Sequence, residues 1–203
     1  MFLAEAVGLD PRMRALRKLR WAKRLALGEL SEGKRACVVG VARALGETMI
    51  APLSGRECVV FDVRAKAATG APGLSMRGSR QSLYGATMFE QAAVPFVIED
   101  DSGRVLVDAR DAQIVLDRDD KQIAGETSAR ANAFCERHGV VLTHGQLHYG
   151  EGVVEIGAKV VVMGDVLSDP DEQATPYRGT PMMRLASSPR GPLIIANDRI
   201  TLR

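Results

Sequence analysis

Two histidines and a glutamate lie close together in the segment THGQLHYGE, and these residue types are common metal ligands. His144 and His148 are four residues apart, a spacing that places two imidazoles on one face of a helix, and Glu151 follows shortly after. Gly145 and Gly150 interrupt the segment and favour an irregular loop. We therefore expect solvent-exposed histidines and no metal site. A metal-dependent hydrolytic enzyme using His144, His148 and Glu151 is kept as an alternative function.

The three cysteines, Cys37, Cys58 and Cys135, are widely dispersed and form no CxxC pair. This predicts neither a disulfide framework nor a zinc knuckle, and it favours the reduced cytoplasm as the location. Cys58 stands among apolar residues with Arg56 as its adjacent cation, which indicates a buried small hydrophobe rather than a reactive thiolate. The sequence contains no GxSxG and no Walker loop, so we predict no catalytic residue and no cofactor.

Four carboxylates cluster in one stretch of the chain: Glu99, Asp100, Asp101 and Asp108. Such a cluster could bind a hard cation or assist acid and base chemistry. However, alternating apolar residues flank the Asp101-Ser102-Gly103 segment, and Gly103 can adopt the positive φ of a hairpin turn. We therefore predict that these carboxylates form the turn of a β-hairpin and face water.

A groove that binds single-stranded nucleic acid is the first alternative function, ahead of the metal-dependent enzyme. Its candidate cations are Arg64, Arg77, Arg80 and Arg104. Such grooves normally add aromatic platforms for the bases, and the aromatic residues within reach are Phe61, Tyr84, Phe89 and Phe96. Strand alternation would bury some of these rings, and only 4% of the chain is aromatic. The net charge of +2 is also small, so a nucleic-acid partner is not expected.

The steepest charge asymmetry lies near the N-terminus, where no acidic residue occurs between Asp10 and Glu29. The cations of this segment are Arg12, Arg14, Arg17, Lys18, Arg20, Lys23 and Arg24. Asp10 followed by Pro11 is a strong helix start, and Gly28 predicts the end of a helix that reaches about Leu27. The segment therefore indicates a basic amphipathic helix.

Two interpretations of this basic helix are open. Its cations could contact an anionic bilayer, where each is worth about 1 kcal/mol near the surface. Alternatively, the helix docks its apolar stripe on the rest of the protein and leaves its charges solvated. The stripe consists of Met13, Leu16, Leu19 and Leu25 and contains no bulky anchor except Trp21. We favour the docked helix slightly and retain the seven cations as candidate membrane or anion contacts.

Short runs of alternating or β-branched residues dominate the rest of the chain. The predicted strands are residues 36–41, 58–63, 84–92, 113–116 and 160–166, together with a hairpin over residues 96–108. Turns are expected at residues 52–55, at Gly157 and at residues 188–191, the last joining residues 182–186 and 193–196 as a hairpin. Residues 69–82 are expected to form a loop. A second helix is predicted from the N-cap Ser128 to His138, with Gly139 after its end.

This element order matches an OB-like Greek-key β-barrel with one helix inserted between barrel strands. We therefore predict a mainly β (α+β) fold with a basic N-terminal helix over residues 1–30 and a barrel domain over residues 34–203. No run of apolar residues is long enough for a membrane span. Arginine far outnumbers lysine, a bias typical of G+C-rich bacterial genomes.

Four strings are specific enough to indicate a family: CVVGVARALGE, APLSGRECVVFDV, PFVIEDDSGRVLVDARDAQI and GEGVVEIGAKVVVMGDV. In this order they resemble the GIDE-type domain, also called the beside-a-membrane (BAM) domain. The domain is known from mitochondrial RING ubiquitin ligases and from many bacterial proteins. The resemblance covers residues 34–200. Its most specific parts are PLSG-x-x-C at residues 52–58 and ED-x-(S/T)G-x-V-x-V at residues 99–107.

The resemblance implies a binding domain next to a membrane. A RING needs about eight Cys or His ligands for two zinc ions, and the three dispersed cysteines do not supply them, so ubiquitin ligase activity is not expected. We predict a non-catalytic binding or scaffold module of the GIDE type that makes protein contacts at or near a membrane surface. The expected partners are a protein and, through the basic helix, an anionic membrane; no small-molecule substrate is identified.

Overall fold

The computed structural model describes residues 10–68, 84–123, 128–142, 147–168 and 183–197, and strands dominate within these ranges. The first half of the chain forms α1 (Pro11–Trp21), β1 (Arg24–Leu25), a 3-10 turn (Leu27–Glu29), β2 (Arg35–Ala44), β3 (Met49–Ile50), β4 (Glu57–Ala68), β5 (Tyr84–Ala93) and β6 (Phe96–Asp100). The second half forms β7 (Gly103–Val107), β8 (Gln113–Val115), β9 (Asp119–Ile123), α2 (Ala129–Arg137), β10 (Leu147–Glu155), β11 (Lys159–Ser168), β12 (Met183–Ala186) and β13 (Ile194–Asn197). The predicted loop over residues 69–82 lies outside the described residues.

Five strands close a barrel in the order β2, β6, β7, β12, β11 and back to β2. Strand β2 is antiparallel to both β6 and β11, and β6 and β7 form the predicted hairpin. Strand β12 is antiparallel to β11 and parallel to β7. Helix α2 lies between the barrel strands β7 and β11 in the chain, as predicted. This closure confirms the OB-like Greek-key barrel.

The run of apolar residues in β11 is buried on both faces. Val160 and Val162 belong to the core inside the barrel, whereas Val161 and Met163 pack in a separate core together with α1. Side chains of a strand alternate between its two faces, so a continuous run indicates that both faces are covered. The barrel core also contains Val38, Phe96, Ile98, Val105, Val107, Leu185 and Ile195.

Strands β12 and β13 do not form the hairpin predicted from the turn at residues 188–191. Both pair antiparallel with β11, β12 over residues 165–168 and β13 over residues 160–163. They therefore run in the same direction along one edge. The turn exists, with a single bridge between Ser188 and Gly191, but the chain then returns to the same edge of β11. Buried Asp165 anchors this turn by accepting a hydrogen bond from Ser188 and pairing with Arg190 at 3.0 Å.

A second sheet, which the sequence analysis does not separate from the barrel, contains β3, β4, β5, β9 and β10. Strand β4 pairs with β10 along one edge and with β5 and β3 along the other, and β9 pairs with β10. The strand predicted over residues 84–92 is β5, and it pairs antiparallel with β4. Helix α2 covers one face of this sheet. The core beneath it includes Cys58, Phe61, Val63, Ala65, Met88, Phe134, Cys135 and Leu147.

Strand β4 contributes to both cores because one extra residue shifts its alternation. Val154 pairs with Val60 and Glu155 pairs with Cys58, so Val59 has no direct partner on β10. Such a β-bulge rotates the following side chains relative to the preceding ones. Val59 and Val60 consequently pack in the barrel core, while Cys58 packs under α2.

Helix α1 is shorter than predicted, since it ends at Trp21 and not near Leu27. Asp10 caps its start by accepting a hydrogen bond from the Arg12 amide at 2.9 Å. After Ala22 the chain becomes extended, and β1 pairs in parallel with Cys37 and Val38 of β2. The predicted apolar stripe is also only partly correct. Leu19 is fully buried together with Ala15, but Met13 is 59% exposed.

Replacing Gly40 with alanine is expected to destabilise the barrel. A Cβ at this position would clash with the side chain of Ile98 and would lie 2.7 Å from the Glu99 carbonyl oxygen. Overpacking of this kind costs about 1–3 kcal/mol of unfolding free energy, which urea denaturation measures. Gly46 has no heavy atom within 4 Å of an added Cβ, so Gly46→Ala is the matched control. Equal stability of the two variants would contradict the close contact between β2 and β6.

Candidate functional site

The histidine and glutamate motif does not converge on one point. His144 lies outside the described residues. His148 and Glu151 are both on β10, and their odd spacing places them on opposite faces of the strand. Among the described residues there is no group of three or more His, Cys, Asp or Glu side chains with metal-site geometry. The three-residue spacing of His148 and Glu151 therefore separates the two side chains on this strand.

Glu151 holds the turn at residues 52–55. Its carboxylate is only 3% exposed and accepts hydrogen bonds from the backbone amides of Leu53 and Ser54, both at 2.9 Å. Arg56 lies 3.9 Å from the same carboxylate. Hydrogen bonds from backbone amides satisfy a buried carboxylate well. Glu151 is therefore a structural anchor for the turn that carries the PLSG string.

All three cysteine thiols are buried and unpaired. Burial raises the pKa of Cys58 to about 11, and the nearby Glu151 carboxylate adds to the effect. Burial also raises the pKa values of Cys37 and Cys135. A thiol must ionise to act as a nucleophile or metal ligand, so these cysteines behave as small core hydrophobes.

The acidic cluster serves the hairpin and its ion pairs. Glu99 contacts Arg43 at 2.7 Å and Arg104 at 2.6 Å, and Asp108 contacts Arg110 at 2.6 Å. Hydrogen bonds from these arginines lower the pKa values of Glu99 and Asp108. These carboxylates are therefore engaged by cations of the protein itself.

Asp100 forms the hairpin turn. Its carboxylate accepts hydrogen bonds from the amides of Ser102 and Gly103 at 2.7 and 3.0 Å, and from the Leu27 amide at 2.9 Å. Desolvation opposes ionisation, but these hydrogen bonds together lower the pKa of Asp100. Gly103 has a φ of 159°, close to ordinary extended backbone. The turn thus depends on the Asp100 side chain and not on a left-handed glycine.

The seven cations of the N-terminal segment divide into two groups. Arg12 turns towards the protein, and the Arg24 guanidinium donates hydrogen bonds to the Leu19 carbonyl and to Cys37 Sγ, both at 2.8 Å. The others are exposed: Arg14, Arg17, Lys18, Arg20 and Lys23. Trp21, which is 80% exposed, lies beside them. No helix in the described part of the chain is long and apolar enough to cross a bilayer.

A buried ion cluster that the sequence analysis missed connects α1 to the second sheet. Asp62 on β4 is fully buried, with the Arg118 guanidinium at 2.7 Å and the Arg12 guanidinium at 3.6 Å. Arg12 also donates a hydrogen bond to the Leu116 carbonyl at 2.5 Å. Burial raises the pKa of Asp62, and the two arginines oppose this effect. The sequence signal for this cluster was Asp62 itself, an acidic residue inside the apolar run of β4.

These arginines form part of an open cleft of about 630 Å³. We call it the cationic cleft. Its lining includes the basic residues Arg12, Arg64, Lys66 and Arg118, together with His148 and Gly150. Asp117 and Tyr149 complete the lining. The cleft draws on α1, β4, the segment between β8 and β9, and β10. Of these residues, Arg12 and Arg64 were predicted from the sequence as possible anion contacts, and His148 only as a possible metal ligand.

The groove predicted for nucleic acid is not assembled from its proposed members. Arg64 lines the cationic cleft, whereas Arg104 is on the barrel hairpin and pairs with Glu99. Arg77 and Arg80 lie outside the described residues. Phe61 and Phe96 are buried and Phe89 is 49% exposed; nothing is described of the Tyr84 side chain. Two of the four predicted aromatic platforms are therefore core residues.

Comparison with known proteins identifies one family. A family model described as GIDE, E3 ubiquitin ligase, matches residues 75–196, which is more than half of the chain. No curated protein and no solved structure matches the chain. The matched region includes barrel strands β6, β7, β11 and β12 as well as β9, β10 and α2 of the second sheet. It therefore spans both structural parts of the protein.

Replacing Glu151 with glutamine is expected to destabilise the fold even in the absence of metal. Glutamine retains one acceptor oxygen where two amides need a partner, so about 1–3 kcal/mol of unfolding free energy should be lost. Glu155→Gln is the control, because exposed Glu155 contacts the same arginine, Arg56, at 2.9 Å. That change should cost at most about 1 kcal/mol. Urea denaturation in the presence of a chelator compares the two, and equal losses would argue against an anchoring role.

Replacing Asp100 with asparagine should alter the acid side of the stability profile. The pKa of Asp100 is lowered in the folded state, so its carboxylate stabilises the fold above the unfolded-state pKa of about 3.9. This contribution is lost as the pH falls through the folded-state pKa. The variant should be less stable by about 1 kcal/mol at neutral pH, and the difference should shrink in acid.

Unfolding free energies measured from neutral pH down to about pH 2 cover this transition. Asp101→Asn is the control, because Asp101 is an exposed neighbour in the same turn. A difference between the Asp100 variant and the wild type that stays constant with pH would show that the carboxylate charge does not support the turn.

Proposed function

The chain belongs to the GIDE family, since the family model matches more than half of its residues, and from this premise we propose that it is a non-catalytic binding module. It attaches to an anionic membrane surface through α1 and makes protein contacts with the rest of its surface. The exposed side of α1 carries this proposal. There Trp21 and Met13 lie among Arg14, Arg17, Lys18 and Arg20.

An exposed tryptophan among cations is suited to a bilayer interface. The indole is amphipathic and prefers the headgroup level of a membrane. Each nearby cation contributes about 1 kcal/mol of attraction to anionic lipid. Buried Ala15 and Leu19 hold the opposite side of the helix against the barrel. Docking on the protein and contact with a membrane are therefore compatible, because they use different sides of α1.

The assignment as a non-catalytic module is supported by the state of the thiols. The family description names a ubiquitin ligase. A ligase that carries the transferred group on a cysteine would need an accessible thiolate. Cys37, Cys58 and Cys135 are all buried, and their pKa values are raised. A buried neutral thiol is a poor nucleophile. We therefore assign binding of a protein partner, and not group transfer, to this module.

Trp21 is the only tryptophan in the sequence and reports directly on the proposed contact. Its fluorescence emission should shift to shorter wavelength when vesicles of phosphatidylcholine and phosphatidylserine are added at low salt. High salt should reverse the shift, because exposed charges are screened. The double variant Arg17→Gln and Arg20→Gln should bind these vesicles at least about tenfold more weakly, since it loses two attractive charges.

The matched control removes two arginines elsewhere. Arg104 and Arg137 are exposed and make surface ion pairs with Glu99 and Glu90, so Arg104→Gln with Arg137→Gln changes the net charge equally. This control should retain vesicle binding. Emission that does not change with anionic vesicles, or equal weakening in both double variants, would refute attachment through α1.

A further inference from the structure

We propose that the cationic cleft is a binding site for a phosphate monoester group carried by a small soluble molecule. The proposal does not rest on membrane attachment. Arg12 and Trp21 are nine residues apart on α1, which at 3.6 residues per turn places them on opposite sides of the helix. The cleft and the exposed tryptophan therefore use different surfaces of the protein.

The floor of the cleft holds two arginines in fixed positions. Arg12 and Arg118 share the single buried carboxylate of Asp62, at 3.6 and 2.7 Å. Asp117 in the lining is a second carboxylate that acts on Arg12, so the excess positive charge of the cleft comes from the further cations in its lining. Arg118 Nε is buried and has no hydrogen-bond partner among the described residues. Side chains fixed during folding lose little entropy when a ligand binds, so the floor is preorganised for an anion.

Two exposed cations on β4, next to β10, complete the cleft. Arg64 and Lys66 are two residues apart on β4, so both project from the same face. On β10, Gly150 pairs with Arg64 and His148 pairs with Lys66. A side chain at position 150 would project from this same face, beside Arg64.

The charge and size of the cleft favour a phosphate monoester. Arg12, Arg64, Lys66 and Arg118 contribute four positive charges, and Asp62 and Asp117 oppose two of them. The remainder matches the charge of about −1.5 to −2 on a phosphate monoester at neutral pH. Arginine also suits phosphate because its planar fork donates two parallel hydrogen bonds. The volume of about 630 Å³ is that of a small-molecule site.

A nucleic-acid strand fits the same surface less well. Strand-binding grooves alternate cations with several aromatic platforms. On β5, Phe89 pairs with Arg64 and is exposed, but Phe61 and Phe96 are buried in the cores. Tyr149 in the lining is also buried. An extended polyanion therefore has Phe89 as its exposed stacking partner on the strands described beside the cleft, whereas a compact phosphate needs none.

Isothermal titration calorimetry at low salt with inorganic phosphate and glycerol 3-phosphate tests the proposal. Both should bind saturably and raise the melting temperature, and acetate at equal ionic strength should do neither. The variant Arg64→Gln with Lys66→Gln should bind at least about tenfold more weakly, since it loses two charge-assisted contacts. Arg64 and Lys66 are exposed, so this variant should fold normally, and Lys66→Gln alone is a milder second variant.

The control variant Arg17→Gln with Arg20→Gln removes the same charge from exposed positions of α1 that do not line the cleft, and it should bind phosphate like the wild type. The proposal is overturned if neither phosphate probe binds saturably, if both double variants weaken equally, or if a single-stranded oligonucleotide binds while glycerol 3-phosphate does not. Phosphatidic acid vesicles distinguish the source of the phosphate. Binding that depends on Arg64 and Lys66 but occurs only with these vesicles would refute a soluble ligand and assign the cleft to a lipid headgroup.

The two proposals fail independently. Loss of vesicle binding in the Arg17 and Arg20 variant with intact phosphate binding supports both. Absent phosphate binding with intact fluorescence shifts at Trp21 removes only the cleft. Absent shifts with intact phosphate binding remove only the membrane contact.

Discussion

The pairing of β2 with β11 closes the barrel, and most of the other elements depend on it. Residue pairs from Val41 with Lys159 to Arg35 with Asp165 join the two strands. Each strand also has two neighbours on its other edge, β6 and β1 for β2, and β12 and β13 for β11. Both strands are therefore central. The inward face of β11 fills the barrel, and its outward face provides the apolar surface on which α1 docks.

The second sheet positions charged side chains of the cationic cleft, which the barrel strands do not supply. The bulge at Val59 allows β4 to serve the barrel core at one end and the core under α2 along the rest of its length. Beyond the bulge, Asp62 meets Arg12 from α1 and Arg118 from the segment after β8. Removing one partner of such a buried cluster costs about 3–5 kcal/mol. The same contact thus connects the N-terminal helix to the second sheet and orders the floor of the cationic cleft.

The elements that were predicted correctly are those determined by neighbouring residues. The hairpin around Asp100 and the helix capped by Ser128 follow from local hydrogen bonds that a sequence reveals. The end of α1 was wrong because β1 forms by pairing with β2, a contact that helix propensity does not contain. The turn at residues 188–191 was read as a hairpin because turn chemistry does not determine which strand the chain rejoins.

The candidate site illustrates the same limit. The four-residue spacing of His144 and His148 was weighed as a helix pattern, but His148 lies on strand β10, where Glu151 projects from the opposite face. Asp62 and Arg12 are far apart in sequence, and no local pattern connects them. The family resemblance, by contrast, could be read from the strings at residues 52–58 and 99–107. These strings correspond to turns held by Glu151 and Asp100, whose geometry constrains the residue types.

The opposite placement of Arg12 and Trp21 on α1 makes the helix a partition between two environments. If lipid covers the Trp21 side, the cleft at Arg12 still opens to water, and solutes reach it by free diffusion. Occupancy of one surface would then impose no steric penalty on the other.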